Sequence, residues 1–189
     1  MGESSRNMHY VCTHAEARSL VEEAAGFWIA DCGCRTGREE GECARSRADV
    51  CLTFGAEVPE YFTEEARQRA RRASREDVEG LFALAAEKHL VTRPFREPPA
   101  MEATGGVCFC CDDCCAYFPV SDECSCDRGT QVAATDADVC KSCGACTKVC
   151  YFGARELPDG RLAADVDRCY GCGLCVDVCS AHAIGMVPR

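Results

Sequence analysis

Apolar positions along the chain fall into short periodic runs separated by charged stretches. Thr13 followed three residues later by Glu16 is a capping-box pattern, and Leu20, Val21, Ala24, Phe27 and Trp28 recur behind it at helical spacing. Ser74 with Asp77 opens a second such segment, in which Val78, Leu81, Phe82, Ala85 and Ala86 form one stripe up to about Leu90. Glu64 to Arg72 is charged and reads as a solvated helix, while Pro94, Pro98 and Pro99 mark Arg93 to Pro99 as a connector out of the helical part. Gly129 to Thr135 reads as a linker, and Pro158-Asp159-Gly160 between short apolar positions predicts a hairpin or tight reversal. The expected class is α+β, with a helical cysteine-rich domain over residues 1–130 and a second, duplicated domain over 131–189.

Composition changes that picture through sulfur. Twenty of 189 residues are cysteine and only 7% are aromatic, so sulfur chemistry must supplement a modest apolar core. Disulfides in a secreted protein and metal ligation in a reducing compartment are the competing readings. Met1 to His9 shows no apolar segment before a small-residue cleavage site, and Arg6 departs from the myristoylation pattern that Gly2 would begin. No apolar run approaches the roughly 18 residues of a membrane span. The expectation is therefore a cytoplasmic, metal-ligating protein without direct membrane insertion.

The formal charge of −10 disfavours nucleic acid as a partner. Residues 131–189 hold six Lys or Arg against seven Asp or Glu, which leaves −9 on the first 130 residues. An acidic surface of that kind suits docking to a basic patch on a redox partner protein, and equally suits plain solubility.

An internal repeat dominates the C-terminal third. Cys140, Cys143, Cys146 and Cys150 recur as Cys169, Cys172, Cys175 and Cys179, each displaced by 29 residues, and the flanking Asp136 to Val139 has its counterpart in Asp165 to Arg168. Each half reads as a short strand, a cysteine loop and a short helix. A C-x-x-C-x-x-C loop wraps three thiolates around one face of an iron–sulfur cubane, and Gly144, Gly171 and Gly173 let the backbone turn tightly between ligands. A pair of zinc sites is the alternative, although zinc ribbons seldom use this spacing.

The stretch from about Asp136 to Val187 resembles the bacterial two-[4Fe–4S] ferredoxin family. That resemblance implies a pseudo-twofold domain of βαβ-like halves holding two [4Fe–4S] clusters, with each fourth ligand supplied by the other half. Cys140, Cys143, Cys146 and Cys179 would then hold one cluster, and Cys169, Cys172, Cys175 and Cys150 the other. The family usually carries proline after the fourth cysteine of each motif, whereas this chain has Tyr151 and Ser180, a change that removes no ligand but puts the potential in question.

Twelve cysteines lie outside that segment. Cys32, Cys34, Cys43 and Cys51 supply four thiolates within twenty residues, enough for a third cluster or one zinc ion. Cys108, Cys110, Cys111, Cys114 and Cys115 form a candidate further metal site, with Cys124 and Cys126 trailing. Neighbouring cysteines cannot easily face one metal, so each adjacent pair either divides its thiols between two sites or leaves one free. The C-x-C-R stretch, Cys51 to Gly55 and the Cys108–Cys115 run are similar to those of 4Fe–4S binding proteins that carry a cysteine-rich N-terminal domain, a likeness that implies redox work and no particular reaction.

Cys12 reads as a buried apolar residue, the four histidines as surface or packing residues, and Arg35 as a partner of Glu39 or Glu40. With no dinucleotide fingerprint or P-loop in the chain, the leading expectation is a low-potential one-electron carrier or the ferredoxin-like subunit of a larger oxidoreductase. The alternative is a cluster-dependent reductase with its active site among the N-terminal cysteines. A sensor containing a winged helix after Leu90 is a third reading, which the acidic balance opposes.

Overall fold

The computed structural model describes residues 6–37, 43–60, 62–115 and 126–189. Strands β1 (His9–Tyr10), β2 (Phe27–Ala30), β3 (Cys51–Phe54), β4 (Arg71–Ala73), β5 (Val91–Arg96), β6 (Thr104–Cys110) and β7 (Cys126–Asp127) form one sheet in the order β4-β2-β3-β6-β5-β1-β7. Neighbours are antiparallel except β1 and β7, which run parallel. Helices α1 (His14–Glu23) and α4 (Arg75–Glu87) begin at the two capping boxes, each with its reciprocal hydrogen bonds in place. The Ser74 hydrogen bonds hold the Asp77 carboxyl down at about 2.

Both helices bury one stripe. Ala17 and Val21 of α1 and Val78, Leu81, Phe82 and Ala85 of α4 share an apolar cluster with Ile29, Leu52, Val107 and Phe109 of the sheet. Phe82 meets Phe109 edge-on with ring centroids 5.3 Å apart. Alternation along the strands puts the neighbours of those sheet residues on the opposite face. Cys51 and Arg93 both pair in register with Cys108, so the second face carries sulfur and a cation where the first carries hydrocarbon.

The N-terminal part is therefore sheet with helices laid upon it, not a helical domain. Leu20 and Val21 belong to α1, but the helix stops at Glu23 and Phe27–Ala30 is a strand paired with β3 and β4. Gly26 permits that switch, since a Cβ there would lie 2.6 Å from the Gly55 carbonyl oxygen. The charged segment likewise splits into α3 (Glu64–Arg69) and strand β4. Arg93 to Arg96, expected in a connector, lies in strand β5 of the sheet. Pro94 is tolerated because its missing N–H falls on the side of the two-residue β1, where Cys12 N–H bonds Thr92 O and Arg96 N–H bonds Met8 O. Val91 thus opens an internal strand rather than a wing.

Beyond residue 129 the expected linker is β8 (Gln131–Thr135), which pairs over five residues with β11 (Ile184–Pro188). The predicted reversal is the hairpin of β9 (Arg155–Glu156) and β10 (Ala163–Ala164), closed by a 3-10 turn at Pro158–Gly160. A 3-10 turn at Ala145–Thr147 and the short helix α5 (Leu174–Asp177) follow the two cysteine loops.

The C-terminal segment packs on the sheet. Val11, Val91, Cys110 and Cys126 share an apolar cluster with Val149, Phe152 and Leu174. Thr130 Oγ1 donates to Glu16 Oε1 at 2.9 Å, and Gly129 N–H donates to Tyr170 O at 3.0 Å. Glu16 thus closes the α1 capping box and holds the C-terminal segment as well.

Thr13→Ala removes the cap and should lower stability by about 1 kcal/mol. Gly106→Ala should cost roughly 1–3 kcal/mol or more by overpacking, because its Cβ would lie 2.2 Å from Leu52 O and 2.6 Å from the Phe95 ring. Urea unfolding of the anaerobically purified protein measures both, and a Gly106→Ala midpoint equal to that of the parent would refute the packing described.

Candidate functional site

The duplicated motif folds around two cavities. Cys140, Cys143, Cys146 and Cys179 line one, with Leu162, Ala183 and Ile184. Cys150, Cys169, Cys172 and Cys175 line the other, with Phe152, Arg155 and Tyr170. Each cavity thus combines three thiols of one repeat with the last thiol of the other. Left-handed backbone at Gly144 (φ 76°) and Gly173 (φ 79°) starts the Ala145–Thr147 turn and α5 at equivalent places in the two repeats.

Amide groups are turned toward sulfur. Ser142 N–H donates to Cys140 Sγ at 3.5 Å and Ala183 N–H to Cys179 Sγ at 3.3 Å. Backbone N–H groups of Ala154 and Arg155 serve Cys150, and that of Leu174 serves Cys172. Burial raises the Cys150 and Cys172 thiols and pushes Cys175 up to about 11. Such thiols stay protonated until a metal displaces the proton. Four sulfur donors, apolar walls and N–H groups directed at sulfur fit a [4Fe–4S] group in each cavity.

The N-terminal thiols fall into two arrangements. A row of thiol-to-thiol contacts runs from Cys51 through Cys108, Cys110, Cys115 and Cys34 to Cys32. Cys43, by contrast, lies 3.5 Å from Cys111, which lies 3.4 Å from Cys114. The structure thus places Cys43 in a compact trio with two residues of the second run, apart from any compact set with Cys32, Cys34 and Cys51. Cys110 belongs to the row and Cys111 to the trio, because successive residues of an extended strand face opposite ways. Cys114 and Cys115 also divide, Cys114 going to the trio and Cys115 to the row, at the end of the turn over residues 112–114 that follows the strand. Cys124 lies outside the described residues.

Buried guanidinium groups serve both arrangements. Arg93, 2% exposed, donates to Cys115 Sγ at 2.9 Å, to Cys110 Sγ at 3.8 Å and to Cys126 Sγ. Arg35, 5% exposed, donates to Cys114 Sγ at 3.3 Å and Cys111 Sγ at 3.7 Å, and to the carbonyls of Arg47 and Phe109. Its expected partners Glu39 and Glu40 lie outside the described residues. Burial would lower both arginines, but the surrounding sulfurs raise them, so they remain charged. Burial, then Arg93, lowers His9 to about 4, leaving a neutral ring 4.0 Å from Cys108 Sγ. Burial pushes Cys12 up to about 12, and its thiol donates to Thr92 Oγ1 at 3.8 Å, as suits a packing residue.

Arg93 and Arg155 are site residues that the sequence reading did not single out. Arg155 is 5% exposed, faces the Cys150–Cys175 cavity and is fixed by Thr135 Oγ1 and Ala133 O. A cation in an otherwise apolar run, as in Val91-Thr92-Arg93-Pro94-Phe95, is the signal that could have found the first. Burial pushes up Tyr151, the residue at the usual proline position, and its ring lies under the Arg45 guanidinium at 5.0 Å. Arg45 in turn bridges to Asp112 at 2.7 Å.

Comparison with curated proteins finds no match. Residues 139–184 match the family model of a 4Fe-4S dicluster domain, and this segment is accordingly an iron–sulfur, ferredoxin-type module with an electron-transfer role.

Proposed function

We propose that the chain carries single electrons at low potential through two [4Fe–4S] clusters, as a free cytoplasmic carrier or as the ferredoxin-like subunit of a larger oxidoreductase. The observation that carries this reading is the pair of cavities, each ringed by three thiols of one repeat and one of the other. Cys140, Cys143, Cys146 and Cys179 hold one group, and Cys169, Cys172, Cys175 and Cys150 the other. When bound, the clusters supply reversible one-electron chemistry. The chain sets their potential by burial, by N–H to sulfur hydrogen bonds and by the Arg155 charge.

The proposed route continues toward the N-terminal thiols. Cys172, Tyr151 and Tyr170 pack against the same apolar cluster as Cys108, Cys110, Cys115 and Cys126, so a third cluster in the thiol row would have a donor beside it. A second reading, reduction of a small molecule at that row, draws on an open groove of about 480 Å³ lined by Cys51, Gly33, Asp31, Thr36 and Arg69. Turnover with an artificial reductant and no partner protein would favour it. The acidic surface suits a basic redox partner, and their association should weaken as ionic strength rises.

Paired substitutions test the crossed ligand sets. Cys140→Ser with Cys179→Ser should remove one cluster and leave the other, while Cys140→Ser with Cys150→Ser should remove both. Iron and acid-labile sulfide per chain, with EPR after reduction, read the result, and the reverse pattern would assign each cluster to a single repeat.

Arg155→Met should lower the potential of one cluster by some tens of millivolts, because a nearby buried cation favours the more negative reduced state. Arg155→Lys should restore most of the shift. Equal potentials in the parent and Arg155→Met, measured by EPR-monitored redox titration, would remove Arg155 from the account.

A further inference from the structure

We propose that Cys43, Cys111 and Cys114 bind a single zinc ion, separate from any iron–sulfur site in the chain. The spacing of the three sulfurs distinguishes one ion from a cluster. Tetrahedral zinc with Zn–S bonds of about 2.3 Å places its thiolates about 3.8 Å apart. In a cubane each thiolate bonds a different iron, so the sulfurs stand well beyond that distance. Here Cys43 and Cys111 are 3.5 Å apart, Cys111 and Cys114 are 3.4 Å apart, and all three sulfurs lie within 4.8 Å of one another.

The same molecule supplies the contrast. Among the described residues this trio is the one set of three or more candidate ligand atoms so compact, although eight other thiols line the two cavities of the duplicated motif. One protein thus shows an open ring of four sulfurs twice and a closed trio once. The difference is the one expected between a cubane and a single ion.

The surroundings hold the trio together before any metal arrives. Ala44 N–H donates to Asp113 Oδ2 at 3.0 Å, and Arg45 pairs with Asp112 at 2.7 Å. These contacts fasten the loop carrying Cys43 to the turn carrying Cys111 and Cys114. Backbone N–H groups of Arg45 and Ser46 are directed at Cys43 sulfur, as preorganised donors to a metal-bound thiolate would be. Charge also balances: three thiolates around a divalent ion leave one negative charge, and buried Arg35 contributes one positive charge against Cys111 and Cys114. The row served by Arg93 has no such closed set. Zinc here would tie the sheet's β6 end to the loop after α2 (Gly33–Thr36), leaving electron transfer to the other thiols.

The test is metal analysis on the full chain, purified anaerobically, with Cys43→Ser and Cys114→Ser variants beside the parent. The parent should hold one zinc per chain, and its zinc absorption edge should show a sulfur shell at about 2.3 Å. Either variant should lose that zinc while iron, sulfide and the EPR signals of the reduced ferredoxin-type module stay at parental levels. Should the variants fail to fold, cobalt(II) replacing zinc in the parent must give thiolate-to-cobalt charge-transfer bands. Parent protein without zinc, or a folded variant losing about four iron and four sulfide with zinc unchanged, overturns the proposal. Failure of the two crossed [4Fe–4S] assignments would appear in the iron content of the paired Cys140 variants and leave the zinc count untouched.

Discussion

Sulfur placed against buried positive charge is the constraint from which the rest of the structure follows. A thiol in an apolar interior prefers to keep its proton, and burial raises Cys150, Cys172 and Cys175 accordingly. Thiolates can gather there only if metal or a cation offsets their charge. Arg35, Arg93 and Arg155 are each 5% exposed or less, and each stands at a different group of sulfurs. Removing a guanidinium from water is costly, and it is offset in part by hydrogen bonds, from Arg35 and Arg93 to sulfur and from Arg155 to Thr135 Oγ1 and Ala133 O. The arginines therefore stand where charge on the sulfurs would be offset. They do so in both parts of the chain, although the family model matches only residues 139–184.

In the duplicated segment, thiol placement and fold are one arrangement. Strands β8 and β11 come from opposite ends of the segment and pair over five residues, which brings the last thiol of each repeat to the cavity of the other. Neither repeat has a complete set alone. Left-handed glycines open the two turns beside the thiols, and the backbone also takes positive φ at Ser142 and Gly171 between successive cysteines.

The thiol repeat was legible in the sequence because it is periodic, whereas β8 was read as a linker and the crossed sets were implied only by the family resemblance. Both capping boxes could be read, since the signal spans four residues and the hydrogen bonds stay within them. The hairpin at Pro158–Gly160 was legible for the same reason. The N-terminal sheet was not. Its strands are two to seven residues long, too short for alternation to stand out from a helical stripe, and Phe27 and Trp28 fell at helical spacing from Leu20 by accident. Grouping the thiols was harder still, because it depends on register: Cys51 meets Cys108 across β3 and β6, and neither residue carries any trace of that pairing. Adjacent cysteines at 110 and 111 carried a usable hint, since an extended strand must send them to opposite faces.

Tyr151 shows how the two parts constrain one another. Proline at this position would suffice to lead the chain away from the cluster loop, and a ferredoxin standing alone has no reason to expose an aromatic ring instead. Here the ring is half-buried against an apolar cluster shared with Cys108, Cys110, Cys115 and Cys172, and its face lies beneath Arg45. Arg45 is fixed in turn by Asp112, the residue after Cys111 of the trio. The departure from the usual pattern is thus explained by the sheet it packs on. Tyr151 thus packs on the same apolar cluster as Cys172 and the N-terminal thiols Cys108 and Cys115, and the exchange of proline for tyrosine removes no thiol from the ferredoxin-type module.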